Sequence, residues 1–381
     1  MPDRHLETLH DIEDFVRGGT FYGTGGGGDF DRGVKILKKH LDMGLSLGWV
    51  DVGAIADDEY TMCPFTMGSL ATITDDKAAF MRTFEIDESQ FGYRRGEHLA
   101  DAAKALERYT GKKASSYVPI ELGGGNAGSC VAAAAKNGVP VVDGDFTGRA
   151  IPEITQTLPS IFGKPVLPLS SCDAWHDICF IDSAVNLKMA ERIGKQISVA
   201  GFLGCDMAGF MMKGSEMKEV VVPGTLTCAL DLGKAIRKAN EEGHNPVEAI
   251  VEYTKGYFVA VGTVSRKDWY DKDGYYWGTH EIVGEGGYAG RTYKIWFKNE
   301  NHICWRDGKV LVTSPDLISI VDARTGWPFT NNQVQEGDRV AVISTRCNER
   351  HRTKEGLEVL APRAFGYDID YVPVEEAVKE W

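Results

Sequence analysis

Residues 117–130 read Tyr-Val-Pro-Ile-Glu-Leu-Gly-Gly-Gly-Asn-Ala-Gly-Ser-Cys, and residues 139–149 read Val-Pro-Val-Val-Asp-Gly-Asp-Phe-Thr-Gly-Arg. The pattern predicts an apolar strand that ends on Glu121, a glycine-rich turn, a short helix, and a second strand that ends on Asp143 and Asp145. Because ligands of open α/β folds bind beyond the carboxyl ends of the strands, we expect these carboxylates to meet the amides of the turn at one sheet edge. The stretch therefore predicts an α/β domain with its functional site at that edge.

The whole chain predicts two domains, with a boundary in a stretch where proline recurs. Residues 1–168 mix helical and strand patterns around two glycine-rich loops and form the α/β domain. Within it, a first amphipathic helix is expected to stop at the pair Gly18 and Gly19. Residues 169–381 form the second domain, in which the helices of residues 222–255 are expected to pack back on the first domain.

From about residue 256 onward, the pattern contains only short strands separated by turn residues. Seven such strands are predicted, and the pair Asp307-Gly308 between two apolar runs is typical of a hairpin. A mostly-β domain of barrel or sandwich type is therefore expected at the C-terminal end of the chain.

Composition excludes several classes of partner. A formal net charge of −13 disfavours nucleic acid and anionic membranes, since both require a basic protein surface. The sequence contains no apolar run near the ~20 residues of a membrane span, and its polar start is unlike a secretory signal. We therefore expect a cytoplasmic homo-oligomer that acts on a small molecule.

The cysteines are candidate metal ligands. The eight cysteines are scattered, which fits reduced thiols in a protein core. Cys172, His176 and Cys179 form an irregular trio without an obvious fourth ligand, whereas zinc sites usually contain regularly spaced pairs. The sequence therefore favours core thiols over structural zinc.

The glycine-rich loop of residues 123–128 fits the pattern G-x-G-x-x-G, follows a predicted strand and opens a helix, with Asp143 about twenty residues later. This context is typical of dinucleotide binding, because a helix N-terminus offers free N–H groups to a pyrophosphate. Glu121 opposes this interpretation, since like charges at ~4 Å repel by about 4 kcal/mol at an intermediate dielectric. The other loop, residues 23–28, is interpreted either as a ligand cradle or as tight packing between the two loops.

The acidic groups are the candidates for catalysis. Glu121, at a strand end below a glycine loop, is expected to be partly desolvated, which raises a carboxyl pKa toward the range useful for acid or base catalysis. Asp143 and Asp145 are expected to share that role, or to bind a divalent cation together with Glu121. Their alternative role is turn chemistry, because Asp side chains form hydrogen bonds within turns.

Other polar groups near this edge are candidates for substrate binding. Arg149 is expected either to bind a substrate carboxylate or to pair with a nearby acid. Asn126 offers donors and acceptors at a helix N-terminus, where its alternative is an N-cap, as it is for Asp29. The loop backbones complete the predicted binding site through Gly25, Gly26, Gly27, Gly124 and Gly125.

Two thiols are candidate nucleophiles. Cys130 lies in the first turn of a predicted helix, where the helix dipole lowers a thiol pKa, and Cys205 is the second candidate. Simple burial on an alanine-rich helix face is the alternative for Cys130. Covalent catalysis also requires a basic partner, which the sequence does not place.

The order of several short motifs resembles one protein family. The motifs are Gly-Thr-Gly-Gly-Gly-Gly-Asp at 23–29, Glu-Leu-Gly-Gly-Gly-Asn at 121–126, Val-Val-Asp-Gly-Asp-Phe-Thr-Gly-Arg-Ala-Ile-Pro-Glu at 141–153, Pro-Gly-Thr at 223–225, Phe-Lys-Asn-Glu at 297–300 and Ser-Pro-Asp-Leu-Ile at 314–318. With them the chain is similar, over about residues 8–360, to the family formerly labelled DUF917 and now described as the S-methyl thiohydantoin desulfurase family. The resemblance implies an N-terminal α/β domain joined to a C-terminal β domain.

The same resemblance implies a hydrolase that acts on a hydantoin-like ring. Attack on C2 of an S-methyl thiohydantoin releases methanethiol and leaves a hydantoin. No cofactor is assigned, and a divalent metal is the open alternative. Two other functions stay open, an oxidoreductase that binds NAD(P) or a nucleotide through residues 123–128, and a non-catalytic partner of a hydantoinase/oxoprolinase-type enzyme, since family members often accompany or are fused to such proteins.

Overall fold

Two β-sheets organise the molecule. The structure is a computed structural model that describes residues 3–87, 89 and 97–380. An α/β region with an eight-stranded mixed sheet is followed by a mostly-β region with a curled seven-stranded antiparallel sheet. This arrangement confirms the predicted fold class. Within the described ranges, no helix is both long enough and apolar enough to cross a bilayer.

Helices and strands alternate in the first half of the chain and strands dominate the second. The α-helices are α1 (Leu9–Tyr22), α2 (Phe30–Asp42), α3 (Asp75–Arg82), α4 (Leu99–Thr110), α5 (Gly124–Asn137), α6 (Leu158–Ile161), α7 (Leu187–Ala200), α8 (Gly214–Val220), α9 (Thr225–Glu241), α10 (Pro246–Thr254), α11 (Lys354–Leu360) and α12 (Val374–Ala377). The strands are β1 (Arg4–His5), β2 (Gly48–Val50), β3 (Tyr60–Gly68), β4 (Ala114–Tyr117), β5 (Val141–Val142), β6 (Gly144–Asp145), β7 (Leu169–Asp173), β8 (Ile178–Ile181), β9 (Gly204–Lys213), β10 (Val222–Pro223), β11 (Tyr257–Lys272), β12 (Tyr275–Gly284), β13 (Thr292–Lys298), β14 (Glu300–Arg306), β15 (Lys309–Thr313), β16 (Leu317–Asp322) and β17 (Arg339–Thr345).

Parallel strands form the centre of the first sheet. Its order is β1-β2-β5-β4-β3-β9-β7-β8, in which β2, β5, β4 and β3 are parallel neighbours and the outer pairs are antiparallel. Strands β7, β8 and β9 follow residue 168 in the chain, yet β9 pairs directly with β3. The sheet thus takes strands from both sides of the predicted division at 168, and the position of the domain boundary stays a prediction.

Helix α1 continues through Gly18 and Gly19, where the sequence pattern predicted its end. The reason is a close crossing with α9, because a Cβ on Gly18 would lie 1.8 Å from the carbonyl oxygen of Ala229. On the other helix, a Cβ on Gly233 would lie 1.8 Å from the carbonyl oxygen of Asp14. Glycine at these positions lets two helix backbones touch, which local sequence does not distinguish from a helix stop.

The segment that carries Glu121 leaves the sheet earlier than predicted. Strand β4 ends at Tyr117, and Glu121 lies in the loop between this strand and α5. After α5, residues Asp143 and Asp145 are separated by a change of partner, because β5 joins the first sheet whereas β6 pairs with β10 in a two-stranded ribbon. The change of partner between β5 and β6 therefore removes the common edge that was expected for the two aspartates.

The seven strands predicted after residue 256 are present, in the order β15-β14-β13-β12-β11-β17-β16. Strand β11 is longer than expected and forms a long hairpin with β12 around Asp273 and Gly274, whose φ angles of 56° and 80° are typical of two-residue hairpin turns. A Cβ on Gly274 would lie 3.2 Å from Cδ of Lys195 in α7. The hairpin thus brings the second sheet against a helix of the α/β region.

Candidate active site

A polar cleft lies between the α/β region and the β13–β14 turn. It contains about 550 Å³ of space not filled by atoms, part of which is open solvent. The end of β3, the first glycine loop, the start of α5 and α7 contribute to its wall, whose ionisable groups are Arg32, Glu121, Glu153, Glu191, Lys195 and Glu300.

Glu121 is the predicted catalytic residue that the structure places in this cleft. Its Oε1 accepts a hydrogen bond from Nδ2 of Asn126 at 2.6 Å, and its Oε2 accepts one from the backbone N–H of Ile151 at 2.8 Å. Asn126 is a cleft residue too, and not the N-cap of α5, which is Gly123. Both oxygens of the Glu121 carboxylate are thus held in position, as a proton-transfer group requires.

Glu300 supplies a second buried carboxylate from the other sheet. Strand β13 ends at Lys298, Asn299 forms the turn with a φ of 59°, and Glu300 begins β14. The turn is fixed on both sides, because the N–H of Tyr276 donates to Oδ1 of Asn299 at 2.8 Å and Nδ2 of Asn331 donates to its carbonyl at 2.8 Å. Among the described residues, the buried Oε2 of Glu300 has no hydrogen-bond partner, which leaves an oxygen for a ligand.

The two carboxylates share one buried environment. Burial raises the pKa of Glu121 to about 7, against the opposing effect of the hydrogen bonds from Ile151 and Asn126. Burial, and after it the charge of Glu121, raises the pKa of Glu300 well above its usual range. The pair therefore holds a proton near neutral pH, and two carboxyl groups in this state can divide the roles of acid and base.

Lys195 adds a positive charge to the same wall. Its Nζ donates to the carbonyl of Gly68 at 3.3 Å and lies 4.0 Å from Oε1 of Glu191. The hydroxyl of Tyr275, next to the turn of the long hairpin, donates to the same Glu191 oxygen at 2.7 Å. Burial lowers the pKa of Lys195, and the charge of Glu191 partly opposes this shift.

A second ion pair stands beside the first. Lys298 of β13 pairs with Glu153, and its Nζ lies 4.0 Å from the ring centre of Tyr275. The Nζ of Lys195 lies 4.1 Å from the same ring. Both ammonium groups therefore lie close to the Tyr275 ring, and each has a carboxylate partner in Glu191 or Glu153.

Arg32 is the guanidinium group of the cleft. One of its terminal nitrogens donates to Oδ1 of Asn126 at 3.4 Å, and its buried Nε has no hydrogen-bond partner among the described residues. Arg149, the predicted substrate-binding arginine, is instead fully buried elsewhere. It donates to the backbone carbonyls of Ala150, Pro315, Asp316 and Asn301. Arg149 thus joins the two halves of the chain, does not line the cleft, and forms no ion pair with an acid of the described residues.

Asp143 and Asp145 are engaged by their own surroundings. Asp143 accepts hydrogen bonds from the N–H of Thr227 at 3.1 Å and from its hydroxyl at 2.6 Å, which holds the first turn of α9. The Oδ1 of Asp145 accepts the backbone N–H groups of Thr147 and Gly148, both at 2.6 Å. Burial raises the pKa of Asp145 to about 6. Both residues fit the alternative of turn and cap chemistry, and the structure does not bring them to the cleft lining.

The two glycine loops pack against each other. The carbonyl of Gly27 accepts the N–H groups of Gly125 at 3.1 Å and of Asn126 at 2.9 Å, and a Cβ on Gly27 would lie 2.7 Å from Cα of Gly123. The amides that a pyrophosphate would need at the start of α5 are therefore already used. This packing explains the G-x-G-x-x-G pattern without a dinucleotide.

The remaining loop residues have local partners. A Cβ on Gly25 would meet Asn331, and one on Gly124 would meet the hydroxyl of Thr20. Asp29 is the N-cap of α2 and accepts the N–H of Arg32 at 2.8 Å. Of the glycines expected to bind substrate, Gly27 lines the cleft. The other four lie outside the lining and pack closely against neighbouring side chains: Gly25, Gly26, Gly124 and Gly125.

The structure favours neither the two candidate nucleophilic thiols nor the predicted metal site of three carboxylates. Burial raises the pKa of Cys130 in α5, and burial followed by the charge of Asp206 raises that of Cys205 in β9, so neither thiolate is favoured. Within the described part of the chain, Glu121, Asp143 and Asp145 do not come together as a set of metal ligands.

Sequence reasoning missed Glu300, Lys195, Glu191 and Arg32 as site residues. Glu300 and Glu153 each end a motif that carries the family resemblance, and this was the available signal for them. Lys195 and Glu191 lie four residues apart on α7, a spacing that many surface helices share.

Two family models together match nearly the whole chain. The model of the S-Me-THD-like N-terminal domain matches residues 10–183, and that of the S-Me-THD-like C-terminal domain matches residues 185–374. The name refers to S-methyl thiohydantoin and supports a thiohydantoin-related function. A search among curated proteins found no significant match. A crystal structure of a protein from Chromobacterium violaceum has a similar fold, with 21% identity, a TM-score of 0.76, and coverage of 97% of this chain and 100% of that chain.

Proposed function

The chain belongs to the S-Me-THD-like family, and from this premise we propose that its cleft hydrolyses the C2–S bond of an S-methyl thiohydantoin-like ring. One observation carries the proposal, the pair of buried carboxylates Glu121 and Glu300 in one small polar cleft. Hydrolysis at an amidine-like carbon needs one group that accepts a proton and one that donates a proton. A pair whose pKa values are raised by burial supplies both near neutral pH.

The reaction exchanges sulfur for oxygen at C2. Water forms the new C2–O bond, and the C2–S bond breaks with its electron pair on sulfur. Of the two protons of water, one ends on the ring nitrogen that was doubly bonded to C2, and the other ends on methanethiolate. The products are a hydantoin and methanethiol, without a change of oxidation state.

The residues of the cleft are assigned to these steps. Glu121, whose two oxygens are fixed by Asn126 and Ile151, takes the proton from water. Glu300, with its raised pKa and its unpartnered Oε2, is the proton donor. The ammonium of Lys195 stabilises negative charge that develops during attack, and Arg32 binds an anionic substituent of the ring.

An assay of thiol release tests the proposal. The purified chain is incubated with S-methyl thiohydantoins that carry neutral or carboxylate side chains, methanethiol is titrated with a chromogenic disulfide, and hydantoin is identified by mass spectrometry. We expect turnover by the native chain and a loss of about 10²–10⁴-fold in kcat for Glu121→Gln, the usual contribution of a general acid or base.

The matched control is Glu59→Gln, which alters an exposed carboxylate that accepts a hydrogen bond from Ser115. Its kcat should equal that of the native chain. The absence of thiol release from every ring tested, by protein whose folding is verified by circular dichroism, would contradict the proposal.

A further inference from the structure

A cluster of metal-binding side chains lies outside the cleft. One ligand atom from each of His98, Cys172 and His176 lies within 4.8 Å of the others. His98 precedes α4 as its N-cap, Cys172 is buried in β7, and His176 lies in the turn between β7 and β8. The centres of the two imidazole rings are 5.1 Å apart. Two segments, the start of α4 and the β7–β8 hairpin, thus bring two imidazoles and one thiol close together.

A carboxylate orients the imidazole of His98. Its Nδ1 lies 3.2 Å from Oδ2 of Asp101, an oxygen that also contacts Lys136 at 3.4 Å. Among the described residues, the buried Nε2 of His98 has no hydrogen-bond partner. Metal-binding histidines usually hold one ring nitrogen on a carboxylate or carbonyl while the other binds the ion. His98 has this arrangement, because Asp101 holds its Nδ1 and its Nε2 is left for an ion.

Charge around the cluster favours a cation. Oδ2 of Asp101 lies 3.2 Å from Nδ1 of His98 and 3.8 Å from Nε2 of His176. Two imidazoles and a thiolate form a donor set that suits Zn²⁺, and three protein ligands leave one tetrahedral position for water.

We propose that His98, Cys172 and His176 bind one Zn²⁺ ion, oriented by Asp101. The ion would clamp the start of α4 to the β7–β8 turn, since it bonds to both. It would also support one wall of the cleft, because the N–H of His98 donates to Asp206 at 2.9 Å, and Asp206 accepts the hydroxyl of Thr66, a cleft residue, at 2.9 Å. The site is separate from the hydrolytic residues and does not depend on their assignment.

Cobalt substitution tests this site in the full chain. Protein stripped with a chelator is titrated with Co²⁺, and we expect one equivalent to give thiolate-to-cobalt charge transfer and the strong visible bands of a tetrahedral ion, both removed by Zn²⁺. Cys172→Ser should abolish the charge-transfer band. His176→Ala should weaken Co²⁺ binding by at least about tenfold, as loss of a site-forming group does.

Cys179→Ser is the matched control, because Cys179 is an exposed thiol on the neighbouring strand β8 and lies outside the cluster. It should bind Co²⁺ like the native chain. Lack of the charge-transfer band in native protein, or its persistence in folded Cys172→Ser, overturns the proposal. If Cys172→Ser does not fold, His176→Ala provides the test, because the His176 side chain is 55% exposed and its removal leaves the core intact. An unchanged Co²⁺ affinity of His176→Ala then overturns the proposal.

Discussion

Two acidic regions of this molecule resemble each other in sequence context but differ in what their carboxylates contact. Asp143 and Asp145 lie in a segment rich in turn residues, and their oxygens accept hydrogen bonds from Thr227, Thr147 and Gly148. Glu121 and Glu300 come from opposite halves of the chain and line one cleft.

The comparison shows that hydrogen bonding alone does not identify a site residue. Both oxygens of Glu121 accept hydrogen bonds, whereas the buried Oδ2 of Asp145, like Oε2 of Glu300, has no partner among the described residues. The two pairs differ in position, because Glu121 and Glu300 line the cleft and the two aspartates do not. A buried carboxylate with a like charge nearby retains its proton more strongly, and one that lines the cleft is also available to a ligand. Five experiments probe this difference.

The largest effect is expected from Glu300→Gln. The amide keeps the shape of the side chain but neither donates a transferable proton nor responds to the charge of Glu121. We expect kcat to fall by about 10²–10⁴-fold, as for loss of a general acid, with little change in the free energy of unfolding. Methanethiol release at several pH values measures the change, and a kcat within a few-fold of native would remove Glu300 from the mechanism.

Gly26→Ala should come next. The new Cβ would lie 1.9 Å from Oε1 of Glu300, so this carboxylate has to move although no cleft group is deleted. Misplacement of a catalytic group by about 1 Å costs about 10²-fold in rate. Steady-state kinetics should show this loss mainly in kcat. Gly44→Ala is a useful comparison, because space is open around that glycine, although its positive φ costs some stability.

The pH dependence separates the two members of the pair. Because the pKa of Glu121 is about 7, its basic form is lost as pH falls below that value, and kcat/KM should fall about tenfold per pH unit. In Glu121→Gln this acidic limb should disappear from the residual activity. A native profile that stays flat from pH 5 to pH 8 would argue against Glu121 as the base.

The same pKa predicts the sign of a stability effect. The folded state keeps a proton on Glu121 that the unfolded chain, with the ordinary value of 4.5, has already released. The contribution of this group to stability is therefore greatest below pH 4.5 and declines as pH rises toward 7. Denaturant titrations of native protein and of Glu121→Gln across this window measure the difference.

The smallest effect on activity is expected from Asp143→Ala. This change removes the acceptor of both Thr227 hydrogen bonds and should lower the free energy of unfolding by about 1–3 kcal/mol. Turnover per folded molecule should remain native, because Asp143 does not line the cleft. A loss of kcat as large as that of Glu300→Gln would return Asp143 to the catalytic set and erase the distinction between the two regions.

Local pattern predicted much of the fold correctly. The seven strands after residue 256, the helix that follows the second glycine loop and the two-part architecture agree with the structure, because strand and helix periodicity are properties of neighbouring residues. Gly18 was misinterpreted as a helix stop, since its small size serves a crossing with α9. That crossing depends on a segment some two hundred residues away in the chain.

The residues of the candidate site also fall into two groups, those predicted from the sequence and those found only in the folded structure. The order of residues along the chain was enough to predict the family resemblance, the fold class, and Glu121 and Asn126 as site residues, which the loop and the helix start place together. Only the tertiary structure placed Glu300, Lys195 and Arg32 in the cleft and removed Asp143, Asp145 and Arg149 from it. The physical reason is that the state of a polar side chain depends on its burial and on which partners use its lone pairs or N–H groups, and those partners come from distant parts of the chain.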